Sequence, residues 1–232
     1  NFTNINYIRQ NQNKGFNYLC NLAYSNNKSN DFLVLLNNDL KFSNNWLKII
    51  LDEMETNNAT AGGPITNAPG HQPKQNIRKF LKEYKINDAN KNINEVSKKL
   101  KNKKSFTASF LNGFCMVYDI NWLNTLSQPI FDYNDPNFGL EKKFFGKHSC
   151  DPLIIPSSFV FHYKQVTVNR NDWAKHHFRL FDSTKKYKIA IGIITYKRYK
   201  LLKKTIVSLV KQNINQPFDI FIVDNDISRS AK

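Results

Sequence analysis

Two runs of this chain, "DFLVLLNND" at 31–39 and "FDIFIVDND" at 218–226, are continuous apolar stretches that stop abruptly in polar and acidic residues. A strand with one wet face alternates apolar and polar residues, whereas a strand buried on both faces, as in a parallel sheet, is apolar throughout. A third such run, "YKIAIGIITY" (187–196), precedes the second. Between them "KLLKKTIVSLVKQ" (200–212) sets Leu201, Leu202, Ile206, Leu209 and Val210 at helical spacing. Strand, helix, strand in that order is a βαβ unit of parallel-sheet type. Ligands bind such sheets beyond the carboxyl ends of the strands. Thr195–Arg198, Asp224–Asp226 and Asn37–Asp39 all fall at such ends.

The first half reads in the same way. "INYIRQ" (5–10) is a short strand, "FNYLCNLAYS" (16–25) a helix, and "NNWLKIILDEME" (44–55) a helix capped by Asn44 or Asn45, with Trp46 in the core. From 67 to 105 the chain turns polar and lysine-rich, which predicts a surface excursion with some helix and a solvated basic face. "SFTASFLNGFCMVYDINWL" (105–123) returns to strand-like sequence with a helix start near Asp119. "SSFVFHY" (157–163) is a further strand, and 164–187 reads as a polar linker.

Composition narrows the class. With 232 residues, 41% apolar content, 18 Phe and 10 Tyr against 8 Gly and 8 Pro, the chain can bury one sizeable α/β core. Its 34 basic and 18 acidic residues give a net charge of +16, which favours anionic partners. Nucleic acid is disfavoured, because the aromatic residues sit inside apolar runs instead of interleaving with basic ones. Cys20, Cys115 and Cys150 form no CxxC pair, poor material for a disulfide framework or a zinc site, so a cytoplasmic setting is expected. No apolar run reaches the roughly 18 residues of a membrane span, so any membrane contact is expected to be peripheral, at the inner face.

"IAIGIITYKRYKLLKKTIVSLVKQ" followed by "FDIFIVDND" resembles the opening of the family 2 glycosyltransferases. "NQNKGFNYLCNLA" (11–23) is similar to that family's next block, and "FLVLLNNDLKFSNNWL" (32–47) to the block carrying its Asp-x-Asp metal motif, here Asn-Asn-Asp. "FLNGFCMVYDINWL" and "IFDYNDPNFGLEKKFFG" resemble the acceptor-side blocks, and "FVFHYKQVT" the terminal histidine block. The resemblance implies the GT-A fold, a Rossmann-like, mostly parallel sheet flanked by helices. It also implies transfer, with inversion, of a sugar from a nucleotide diphosphate to a glycan or lipid-linked acceptor, as in surface polysaccharide synthesis. The blocks stand in rotated order, the family's first two coming last. Region 1–181 would then carry the metal and acceptor-side blocks, and 187–232 the nucleotide-binding start of the same fold. That start either completes the domain, as in a circular permutant, or begins a second one, as in a piece of a tandem protein.

Sugar transfer needs the nucleotide held, the leaving diphosphate neutralised and the acceptor hydroxyl deprotonated. Asp224 can accept the imide N–H of uracil or thymine, which favours a UDP or dTDP donor, while Tyr196 packs on the ring. Thr195 and Arg198 share that loop, and Arg198 can reach phosphate. The resemblance adds Asn13, Gly15 and Asn38 to the nucleotide site, and Asn37, which replaces the motif's first acid, as a ribose ligand. Asp39 is the candidate ligand for Mn²⁺ or Mg²⁺, with His162 implied as a second. Glu141 is the candidate general base. Lys142 follows where a second acid is usual in the family, and would tune that base or contact phosphate. Asp132 and Asp135 are fallback bases. Asn112 and Gly113 resemble the loop along the donor sugar. The departures at Asn37 and Lys142 leave a non-catalytic glycosyltransferase-like module as the alternative.

Overall fold

The computed structural model describes residues 5–10, 14–132, 140–163, 188–195, 198–211 and 218–224, with the backbone only at 86–91 and 140. In chain order the elements are β1 (Ile5–Arg9), α1 (Phe16–Ser25), β2 (Phe32–Asn37), β3 (Leu40–Phe42), α2 (Trp46–Thr56) and β4 (Ala61–Ile65). Then come α3 (Ile86–Leu100), β5 (Phe106–Thr107), β6 (Cys115–Asp119), α4 (Ile120–Asn124), α5 (Leu140–Lys147) and β7 (Leu153–His162). The chain closes with β8 (Ile189–Thr195), α6 (Tyr199–Val210) and β9 (Phe218–Asp224).

These strands make one nine-stranded sheet in the order β1-β9-β8-β2-β6-β4-β7-β3, with β5 on β7. β1, β9, β8 and β2 are mutually parallel neighbours. β6 runs against β2 and β4, and the short β3 and β5 run against β7. The sheet is therefore mixed, with its parallel half at the β1 side. β8 inserts along β2 over six residue pairs, from Phe32↔Ile189 to Asn37↔Ile194, and β9 lies between β8 and β1. β8 and β9 thus occupy the middle of the sheet's parallel half, and among the described residues β1 pairs only with β9.

Two-residue alternation sorts the core. Leu33 and Leu35 of β2 face α1 with its Cys20, Ala23 and Tyr24, while Val34 and Leu36 face α2 and α6. Both faces are covered, which is why these strands are apolar throughout. Gly15 holds φ 80°, a positive value that glycine adopts without a Cβ penalty, and α1 starts at the next residue.

Two expectations change. Asn45 does hold the cap position of α2 but at φ 65°, and its side chain makes no capping hydrogen bond. The stretch 67–105 is not a mere surface excursion: Ile77, Tyr84, Ile93, Val96 and Leu100 are buried, and α3 packs on β7. Its lysines mask this because the apolar residues are few and widely spaced. "AGGPI" (61–65) is a fully buried strand, β4, despite its two glycines and proline. Asp119 does start α4, accepting hydrogen bonds from the Asn121 and Trp122 amides. Among the described residues no helix is long and apolar enough to cross a membrane.

Candidate active site

The carboxyl ends of the four parallel strands align in register. Arg9 pairs with Asp224, Asp224 with Thr195, and Ile194 with Asn37. Asn38 Nδ2 donates to Thr195 Oγ1 at 2.6 Å, tying the ends of β2 and β8 together in a buried hydrogen bond. Asp224 is fully buried, and its Oδ2 accepts from the Tyr7 hydroxyl at 3.1 Å. A row of polar groups contributed by both ends of the chain therefore lines the edge where ligands bind such sheets.

Asp39 stands one step along this edge. Its side chain is 2% exposed, and Oδ2 accepts from Arg198 Nη1 at 2.9 Å. The loop after β2 leads straight into β3, and β3 pairs Leu40 with His162 at the end of β7. That pairing sets His162 Nε2 3.1 Å from Asp39 Oδ1. His162 Nδ1 lies 3.1 Å from the Ala68 carbonyl, which only accepts, so Nδ1 is assigned the hydrogen. With that hydrogen on Nδ1, the Nε2 lone pair faces an oxygen with no other hydrogen-bond donor in reach among the described residues. Two lone pairs that close require a proton or a cation between them.

A bound divalent cation is one way to satisfy this pair, and the donor set suits it. Among the described residues no three His, Cys, Asp or Glu side chains form a metal cage. One carboxylate and one imidazole, with the remaining positions left to phosphate oxygens and water, is nevertheless an ordinary arrangement for a cation shared with a nucleotide.

Glu141 sits in the first turn of α5, and its Oε1 accepts the Gly113 amide at 2.9 Å. The next residue, Phe114, accepts the Asn37 amide on its carbonyl at 2.9 Å and stacks its ring on His162 at 5.7 Å. Residues 113–114 thus join Glu141 to the Asp39 and His162 end of the site. Glu141 also borders an apolar cavity of about 110 Å³ between α1, β6 and α5, walled by Phe16, Met116, Tyr118, Phe131 and Phe144, with Lys143 and Lys147 on its lining. Burial, and then the Glu141 charge, pushes the Cys20 thiol beneath it well up.

Asn13, Tyr196 and Asp135 lie outside the described residues. Asn37 ends β2, half-buried, and Gly15 opens α1. Asn112 donates its amide to Gln75 Oε1 at 2.7 Å. Lys142 is exposed, and the contact that holds Glu141 is the Gly113 amide. Asp132 lines the apolar cavity.

Three supporting residues escape sequence reasoning. Asn67 clamps the His162 main chain, accepting its amide at 2.8 Å and donating to its carbonyl at 2.9 Å. Tyr7 holds Asp224, and Thr205 anchors β3. Asn67 falls in the polar stretch that reads as surface, and the other two carry no signal without their distant partners.

The sequence profile of Glycosyl transferase family 2 matches residues 1–126, more than half of the chain. The matched stretch holds Gly15, Asn37, Asn38, Asp39, Asn112 and Gly113, while Glu141, His162 and the β8–α6–β9 unit lie beyond it. No curated protein matches the chain.

Proposed function

This chain belongs to glycosyl transferase family 2, and on that premise we propose that it moves a sugar from a UDP- or dTDP-linked donor to its acceptor with inversion, assisted by Mn²⁺ or Mg²⁺. One observation carries the reading. Glu141, Asp39, His162 and the polar ends of β8 and β9 gather at one edge of the sheet, linked through residues 113–114 and the Asn38–Thr195 bond. In this reading the β8–α6–β9 unit completes the domain.

Asp224 accepts the imide N–H of the base, Asn37 binds the ribose, and Asn112 and Gly113 lie along the donor sugar. Asp39 and His162 hold the cation, which supplies charge to stabilise the departing diphosphate. Arg198 adds a second positive charge there. The acceptor hydroxyl attacks the anomeric carbon as Glu141 takes its proton. The carbon–oxygen bond to the diphosphate breaks on the opposite face, which inverts the centre. Oε1 is engaged by Gly113, so Oε2 is the oxygen that receives the proton.

The apolar cavity beside Glu141 favours an acceptor with an apolar portion, and Lys143 and Lys147 favour an anionic group on it, as in a lipid-linked glycan intermediate. Three buried thiols in no disulfide support a cytoplasmic setting, and the +16 charge supports peripheral contact with an anionic inner membrane face. Both fit a role in surface polysaccharide synthesis.

The test is hydrolysis and binding of a panel of nucleotide sugars by the folded chain, with Mn²⁺ and with EDTA. Metal-dependent binding of UDP or dTDP sugars with slow hydrolysis is expected. Nucleotide binding without any turnover, whatever the acceptor, points to a non-catalytic module. A folded sample that binds no nucleotide overturns the proposal.

A further inference from the structure

The Arg198–Asp39 pair is lopsided. The guanidinium side chain is 55% exposed at the start of α6, while the carboxylate it holds is 2% exposed. Among the described residues its hydrogen bond is to Asp39 Oδ2, and more than half of the side chain is open to solvent. On the far side of the same carboxylate, Oδ1 faces His162 Nε2, with no other hydrogen-bond donor in reach among the described residues. A divalent cation entering between Oδ1 and Nε2 would come to rest beside a guanidinium already bound to Oδ2. Like charges that close, around a buried group, repel strongly. The cation therefore binds well only after Arg198 has left, and a diphosphate is the group that can draw it away, since guanidinium pairs with phosphate oxygens as readily as with carboxylate.

We propose that Arg198 guards the cation site: it neutralises Asp39 in the empty protein and moves to the donor's diphosphate on binding, so that cation and nucleotide bind together and neither binds well alone. The proposal rests on the cation role of Asp39 and His162 given above. It makes binding of the two ligands mutually reinforcing, which by linkage must hold in both directions.

The experiment measures free Mn²⁺ by electron paramagnetic resonance in titrations of the folded full chain, with and without UDP. For the unsubstituted chain, UDP is expected to tighten Mn²⁺ binding by about tenfold or more. Arg198→Gln is expected to bind Mn²⁺ alone about tenfold tighter than the unsubstituted chain, and to gain much less from UDP. Arg198→Lys keeps a charge at that position and is expected to stay near the unsubstituted chain. A purely structural arginine could not produce a gain in metal affinity on removal. Equal Mn²⁺ affinity of Arg198→Gln and the unsubstituted chain without UDP overturns the guard, while UDP-dependent uptake in both leaves the metal reading standing. No Mn²⁺ uptake by any variant, even with UDP, overturns the guard and the metal reading together.

Discussion

Thr205 Oγ1 accepts the Leu40 amide at 3.0 Å and donates back to the Leu40 carbonyl at 3.3 Å, so one hydroxyl on α6 satisfies both main-chain groups of the first residue of β3. Ser208, one turn on, accepts the Phe42 amide at 3.0 Å. Asp39 immediately precedes Leu40, so α6 fixes the strand that aims the candidate cation ligand.

Replacing Thr205 with Val keeps its shape and removes the hydroxyl, leaving the buried Leu40 amide unpaired. A loss of about 1–3 kcal/mol is expected, read as a lower urea midpoint with unchanged slope. Thr205→Ser retains the hydroxyl and is expected to lose less.

A methyl group on Gly113 would run into Glu141 Oε1, the tip of a flexible side chain. Gly113→Ala is therefore expected to fold normally and bind free UDP, which carries no sugar, as before, but to displace the candidate base. If Glu141 takes the acceptor proton, kcat should fall on the order of 10²-fold or more, close to the effect of Glu141→Gln. Steady-state kinetics with saturating donor separate this from a binding defect.

Asn67→Ala releases the His162 main chain without touching either candidate metal ligand. Residues that orient ligands typically matter by about 10- to 100-fold in metal affinity. Weaker UDP-dependent Mn²⁺ uptake is expected, at a melting temperature within a few degrees of the unsubstituted chain. Unchanged uptake would mean that β3 pairing and the Ala68 carbonyl suffice to hold the imidazole.

Burial pushes the His148 imidazole below its ordinary range, and neighbouring Lys147 adds to this, against an opposing hydrogen bond to the Ile130 carbonyl. The folded state thus takes up the proton less readily than the unfolded chain does. By linkage His148 costs nothing above about pH 6.5, the unfolded value, and destabilises as pH falls below it. Melting curves from pH 8 to 5 should show a steeper decline for the unsubstituted chain than for His148→Gln.

Much of the fold is legible in the amino-acid order. The buried strands at 31–39, 187–196 and 218–226, the helices between them and the polar groups at their ends all follow from short-range periodicity, because a strand covered on both faces must be apolar at every position. Asp39, Thr195 and Asp224 stand out for the same reason. β4 is not legible, since "AGGPI" contradicts strand propensity and is held by its neighbours: a Cβ on Gly62 would press against Met54 and Ile155. Asn67 and Tyr7 are not legible either, because each acts only through a partner distant in sequence, His162 and Asp224.

The sequence by itself determined which segments could be strands and which residues would stand at their ends. The tertiary structure alone decided that β8 and β9 enter between β2 and β1, which brings Thr195 to Asn38 and Arg198 to Asp39 across separations of 157 and 159 residues. The physical reason is one of range. Periodicity reports a residue's immediate surroundings, whereas the ladder hydrogen bonds of a parallel strand can be made by many apolar neighbours. Only burial of the whole sheet, with α1 on one face and α2 and α6 on the other, selects the order that assembles this site.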